Sequence, residues 1–251
     1  MPDTIKITEA IALKTMLNEP VMQRAKIFVD GGIVDYHTHC LPGMDDGAKN
    51  VEISVELLKL LKQQGVVKVV ATPHFTRGDE DVPSFLERRA VAYRKLEEHP
   101  SFGELPPIML GAEVLVQPGL SSTDLRPLCI GDTNMLLLEP PFAPLRSWVI
   151  EEIQNIVYSC KVVPVLAHVE RYYEFYSKEH YDTLFSLDDC ILQINADAFL
   201  KNNTMRFVKS LAKSGYEILV GSDCHNLEKR APHFDFARKN LEKIHKKYFE
   251  S

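Results

Sequence analysis

The chain has 251 residues, 45% of them hydrophobic, which is enough to bury one substantial core in one domain. Its 29 basic and 35 acidic residues leave a net charge of -6, which argues against a life on nucleic-acid phosphates or anionic lipid, so an anionic substrate must be met by local positive charge. No apolar run reaches the roughly 18 residues of a membrane helix, and the N-terminal "MPDTIKITEAIALKTML" carries acids unlike a signal peptide, so a cytoplasmic protein without membrane insertion is expected.

Residues 1–32 read as a helical extension of one or two helices ending at "DGG", a packing appendage to the domain that follows. From 33 to 251, runs rich in β-branched residues alternate with stretches of helical period. The runs are "IVDYHTH" (33–39), "VVKVVATPH" (66–74), "PIMLGAEV" (107–114), "NMLLLEPP" (134–141), "VVPVLAHVE" (162–170), "ILQINAD" (191–197) and "EILVGSDCH" (217–225). Between the first two lies the amphipathic "NVEISVELLKLLKQQG", whose Gly65 sits where a helix would stop. Seven strands with intervening helices predict an α/β fold, a closed or nearly closed β/α barrel with a parallel sheet. Five cysteines, an odd number without paired spacing, predict reduced thiols, most of them small core residues.

The nine histidines divide into two groups. His99, His180, His233 and His245 lie among charged neighbours and read as surface residues. His37, His39, His74, His168 and His225 each follow an apolar strand run, the end at which β/α barrels build active sites. Strand alternation turns His37 and His39 to one side, and Asp223 and His225 likewise, with Cys224 facing away. Glu113, Glu139 and the pair Asp45 and Asp46 occupy equivalent places. Five imidazoles with these carboxylates form a cluster that needs positive charge, and nitrogen and oxygen donors without thiolate suit Mn, Fe or Zn.

In these motifs the chain resembles the polymerase and histidinol phosphatase (PHP) superfamily, and within it the bacterial protein-tyrosine phosphatases of capsule and exopolysaccharide synthesis. The resemblance rests on "DYHTHCLPGMDDG", "ATPH", "GAE", "LLLE", "AHVERY" and "SDCHNLEKRAPH" in the family's order, and it runs from Ile33 to the last helix. It implies a distorted seven-stranded (β/α)7 TIM-like barrel with three metal ions, Mn or Fe, with Zn or Mg as further options. One ion would take His37, His39, Glu113 and Asp223, with Glu113 bridging to a second that also takes Glu139 and His168. The third would take Asp46, His74 and His225, and Arg171 and Arg230 would bind phosphate. The implied activity is hydrolysis of phosphotyrosine by metal-activated hydroxide, on a bacterial tyrosine kinase that regulates polysaccharide export. The chemistry is consistent: a metal cluster supplies hydroxide near neutral pH, arginine forks match phosphoryl oxygens, and a tyrosyl phenolate leaves readily.

Competing readings remain open at this point. "CHNLEKR" has the C-x5-R spacing of cysteine-dependent phosphatases, although it lacks glycine and puts Glu228 where a dianion would sit. Metal-dependent amide hydrolysis shares the initial HxH and late Asp. Histidinol phosphate or another small phosphomonoester is the nearer rival substrate, and a non-catalytic phosphotyrosine-binding scaffold is the alternative of another class. The run Tyr172, Tyr173, Phe175 and Tyr176 either flanks a phosphotyrosyl ring or packs a loop, and Asp35 either orients an imidazole or fills the barrel mouth. The sequence leaves the oligomeric state unassigned.

Overall fold

A computed structural model describes residues 26–187 and 189–248. Residues 1–25 of the expected helical extension lie outside them. The end of that segment is not helical: strand β1 (Phe28–Val29) pairs antiparallel with the start of β2 (Gly32–Thr38). Asp30 and Gly31 both take positive φ, 50° and 76°, between them. An Asp-Gly pair meets that requirement at little steric cost, which is why "DGG" makes a hairpin turn here.

All seven predicted runs form strands, and the second and third each break in two. They give β3 (Val66–Ala71) and β4 (His74–Phe75), then β5 (Ile108–Leu110) and β6 (Glu113–Leu115). The breaks fall at Thr72-Pro73 and Gly111-Ala112. Pro73 has no N–H to give a ladder, and the Gly111 carbonyl accepts from Arg89 Nη1 at 2.6 Å. The remaining strands are β7 (Met135–Glu139), β8 (Val163–Leu166), β9 (Ile191–Asn195) and β10 (Ile218–Gly221).

Hydrogen-bonded order runs β1-β2-β3-β5 in one sheet and β10-β9-β8-β7-β6-β4 in the other, with every pair except β1–β2 parallel. The divided runs carry the chain from one sheet into the other. The ring closes where the chain after β10 returns beside β2: Asp223 N donates to His37 O at 2.7 Å, and His39 N to Cys224 O at 3.1 Å. The result is the expected seven-membered β/α barrel.

Helices α1 (Val51–Gln63), α2 (Val82–Glu97), α3 (Ser147–Cys160), α4 (Lys178–Phe185), α5 (Asn202–Lys213) and α6 (Phe234–Tyr248) flank the strands. Helix α1 begins where Asn50 Oδ1 accepts from Ile53 N at 2.9 Å and ends before Gly65 at φ 87°, the stop read from the sequence. It turns Leu57, Leu58 and Leu61 fully inward, each burial contributing roughly 1.5–3 kcal/mol. After β6 two short 3-10 turns, Leu120–Ser122 and Arg126–Leu128, replace the helix that regular alternation would supply.

Two apolar layers result. Val34, Val70, Leu137, Val165, Ile191 and Leu219 fill the barrel interior, and the larger layer lies between strands and helices. The interior layer stops below the strand ends, and polar side chains take over there.

Candidate metal centre

The register of β2 against β3 slips between Asp35 and Thr38. Strict alternation therefore fails at this point, and the Asp35 carboxylate accepts from the Ser222 and His37 backbone amides at 2.8 and 3.2 Å. Through these two amides Asp35 ties the last strand to the first, a role that neither of its two sequence readings names. Burial pushes its carboxyl up to about 7.

His37 and His39 face each other, Nε2 to Nε2, at 3.2 Å. Their other ring nitrogens settle the tautomers. His37 Nδ1 donates to Gln193 Oε1 at 3.0 Å, and His39 Nδ1 to Asp45 Oδ2 at 2.8 Å. The Gln193 amide is fixed in turn, because its Oε1 accepts from His168 N and its Nε2 donates to Asn195 Oδ1. Asn195 Nδ2 then donates to Asp223 Oδ2 at 3.2 Å. The two Nε2 atoms thus converge on one point, and Glu113 Oε2 stands 3.2 and 3.3 Å from the same two nitrogens.

The other predicted ligands gather around this pair. His168 Nε2 lies 2.9 Å from Glu113 Oε1 and 3.4 Å from Glu139 Oε1. His74 reaches Glu113 Oε2 through Nδ1 at 3.0 Å and Asp46 Oδ1 through Nε2 at 3.5 Å. His225 donates through Nδ1 to the Asp223 carbonyl at 2.9 Å, so its Nε2 carries a lone pair, 3.3 Å from Asp46 Oδ1. Three groups have donor atoms within 4.8 Å of one another: His37, His39 and Asp223; His39, Asp46, His74 and His225; and His74, Glu113 and Glu139. These groups overlap the sets implied by the resemblance without coinciding with them: His39 joins Asp46, His74 and His225, Glu113 is absent from the group of His37 and Asp223, and His74 stands with Glu113 and Glu139 where His168 was expected.

These residues fit metal ions on their own geometry. Glu113 Oε2, His168 Nδ1 and His225 Nε2 are buried without a hydrogen-bond partner among the described residues. Burial opposes ionisation of Glu113 and Asp223, yet the facing imidazoles, His37 first, hold both well below the usual carboxylate range. Burial also opposes a charge on His168, but its bonds to Glu113 and Glu139 lift it to about 9. His225 goes the other way, to about 4, through burial and the charge on His39. The carboxylates draw positive charge into the cluster, which protons or metal cations can supply.

Backbone strain marks the same place. His168 and Asp223 have positive φ, 32° and 50°, a conformation that side-chain-bearing residues seldom adopt. Two glycines allow close approach: a Cβ on Gly47 would stand 2.2 Å from His39 O, and one on Gly221 2.4 Å from His37 Cβ. The "DDG" loop and the last strand can therefore press against the histidine pair.

Both predicted arginines border the cluster. Arg171 pairs with Asp223 Oδ2, and Arg230 meets Asp223 Oδ1 at 3.1 Å and Asp46 Oδ2 at 3.3 Å. They remain 38% and 35% exposed, so both guanidiniums are reachable from solvent.

Residues 33–251 match the family model for capsular polysaccharide synthesis, CpsB/CapC. The chain belongs to this family. It is 28% identical over 211 residues to the tyrosine-protein phosphatase CpsB of Streptococcus agalactiae serotype III, covering 80% of this chain and 86% of that protein. It is also 28% identical over 222 residues to the tyrosine-protein phosphatase YwqE of Bacillus subtilis, covering 84% of each. Among the crystal structures of YwqE from Bacillus subtilis and CpsB from Streptococcus pneumoniae, described as metal-dependent tyrosine phosphatases, one chain superposes with a TM-score of 0.70. That match has 27% identity and covers 84% of this chain and 87% of the other.

Within this CpsB/CapC-family chain the thiolate alternative has no footing. Cys224 is fully buried, and burial pushes its thiol well above the ordinary range. All five cysteines are free and buried, and burial drives Cys40, Cys129 and Cys190 up to about 12. Cys224→Ser is therefore expected to retain phosphatase activity within about threefold, and iodoacetamide at pH 8 to leave the native chain active. Rapid inactivation by the reagent, or a dead serine variant that still folds, would reinstate the thiol.

Sequence reasoning missed Gln193, Asn195 and the imidazole-orienting role of Asp45. Gln193 and Asn195 did leave a signal, two amides at i and i+2 in the otherwise apolar "ILQIN". The four remaining histidines, His99, His180, His233 and His245, are half-buried and stand apart from the cluster. Of the aromatic run, Tyr172 and Tyr176 are buried and stacked at 4.9 Å, whereas Tyr173 and Phe175 face solvent. The run both packs a loop and supplies two exposed rings.

Proposed function

We propose that this chain is a metal-dependent protein-tyrosine phosphatase. Its ligands would be His37, His39, Asp46, His74, Glu113, Glu139, His168, Asp223 and His225, and its phosphate-binding groups Arg171 and Arg230. The observation that carries the reading is the convergence of His37 Nε2 and His39 Nε2 at 3.2 Å beside Glu113, with two guanidiniums at the rim. Manganese or iron suits this nitrogen and carboxylate set. When bound, such ions supply Lewis acidity and an activated water at neutral pH.

The chain's own groups do the rest. Asp45 and Gln193 hold the two histidines in the tautomer that presents Nε2. Arg171 and Arg230 approach one region from two sides, and their planar forks match non-bridging phosphoryl oxygens. A tyrosyl phenolate, with a pKa near 10 in water, departs without a strong general acid. The substrate is a phosphotyrosine protein, a bacterial tyrosine kinase of polysaccharide export in keeping with the capsule context of the family. No helix among the described residues is long and apolar enough to cross a membrane, and the reading assigns the work to the cytoplasm.

The test is phosphate release from a tyrosine-phosphorylated peptide, with phosphoserine peptide and histidinol phosphate in parallel, on metal-stripped protein titrated with Mn, Fe, Zn or Mg. Activity restored by metal and confined to phosphotyrosine is expected. A preference for histidinol phosphate would replace the substrate, and full activity without metal would remove the mechanism.

A further inference from the structure

A cleft of about 630 Å³ opens beside Arg171. Its inner end is polar, formed by Glu170, Arg171 and Asn195, and it adjoins the metal centre because Asn195 Nδ2 bonds Asp223 Oδ2 at 3.2 Å. Phe142, Tyr173 and Leu200 give it apolar surface, and Asp197 and Lys201 add one charge of each sign.

Three features set this cleft apart from ordinary surface. Phe142, Tyr173 and Leu200 are 64%, 51% and 49% exposed, in a chain that buries most of its large apolar side chains. Phe142 is held upright by Phe175, ring against ring at 4.7 Å, and Tyr173 leans on Phe207 at 5.6 Å, so both rings are positioned before anything binds. Glu170 is only 7% exposed: one carboxyl oxygen accepts from Asn195 N at 3.3 Å, and the other has no partner among the described residues.

The volume also matters. Ligand clefts run roughly 300–1,000 Å³, and this one lies well inside that range. One phenyl ring attached to a phosphate at Arg171 would leave much of it unfilled. We propose that this cleft binds the polypeptide segment that carries the phosphotyrosine, with Phe142, Tyr173 and Leu200 as apolar walls and Arg171 at the phosphoryl group. The inference rests on the phosphatase reading and extends it from the phosphoryl group to the flanking chain. Selection of a protein substrate over a small phosphomonoester then comes from this cleft, while the phosphate itself is held by arginines common to both.

The test compares three substrates on the metal-loaded full chain: a tyrosine-phosphorylated peptide, free phosphotyrosine and p-nitrophenyl phosphate. Phe142→Ala, Tyr173→Ala and Leu200→Ser change exposed side chains. For the peptide, kcat/KM is expected to fall about tenfold or more through KM, with a loss several-fold smaller for the two small substrates. Fluorescence polarisation of a labelled, non-hydrolysable phosphotyrosine-mimetic peptide should weaken by the same factor. Equal losses on all three substrates, or no loss on any, would overturn the inference and leave the phosphatase reading standing. Failure of the unaltered metal-loaded chain to hydrolyse any phosphotyrosine compound would instead bring down the phosphatase reading, and this inference with it.

Discussion

Glu113→Gln is expected to lower kcat/KM for a phosphotyrosine peptide by at least ~1,000-fold, about 4 kcal/mol of lost transition-state stabilisation. No other carboxylate of the cluster touches as many of its members. Glu113 Oε2 is 3.2 Å from His37, 3.3 Å from His39 and 3.0 Å from His74, and Oε1 is 2.9 Å from His168. Glutamine keeps the shape and removes the charge, which leaves four imidazoles facing an amide that can supply neither negative charge nor a bridge. The variant should also retain fewer metal ions per chain after gel filtration, read by elemental analysis. His39→Ala should act in the same direction, since it removes a member of two of the donor groups at once. A Glu113→Gln protein with full metal content and near-normal turnover would refute the role assigned to the cluster.

Loss of the arginines should be nearly as severe and should look different. Arg171→Ala and Arg230→Ala are each expected to reduce kcat/KM by about 100-fold with metal content unchanged, the scale of removing one charge-stabilising group from a transition state. Inorganic phosphate should inhibit either variant more weakly in parallel, because the same fork that holds the transferring group holds the product. Arg230→Lys should recover only part of the loss, since an ammonium cannot offer two parallel donors. Arg171 and Arg230 both pair with Asp223, so the double variant is expected to lose less than the product of the two single losses. Single variants with unaltered phosphate inhibition would move the phosphate site elsewhere.

Much of this architecture is legible in the chain itself. The seven β-branched runs, the helix stop at Gly65, the free cysteines and the histidines at strand ends follow from local rules. Those rules are the two periods of backbone structure, the freedom of glycine at positive φ, and the placement of barrel chemistry beyond the strands. The same rules fell short at two places. "DGG" made a hairpin turn instead of ending a helix, because an Asp-Gly pair serves either signal until the neighbouring strand decides. For Asp35 they left two roles open and named neither of the amides it accepts from, His37 and Ser222, because the register of β2 against β3 slips there.

What the amino-acid order determined alone is the inventory: which donor atoms exist, and that each lies toward the end of, or just beyond, one of the seven apolar runs. Only the closed barrel decided which of them meet. His37 lies 156 residues from Gln193 and 186 from Asp223, and the tautomer of the one and the position of the other depend on closure of the last strand against the first. The difference in roles between the adjacent Asp45 and Asp46, the left-handed backbone at His168 and the cleft walled by Phe142 and Leu200 are of the same kind. Local sequence sets the direction of a side chain over a few residues. Contacts between distant segments are set by how the twisted strands close into a ring, a property of the whole sheet and of no single stretch of it.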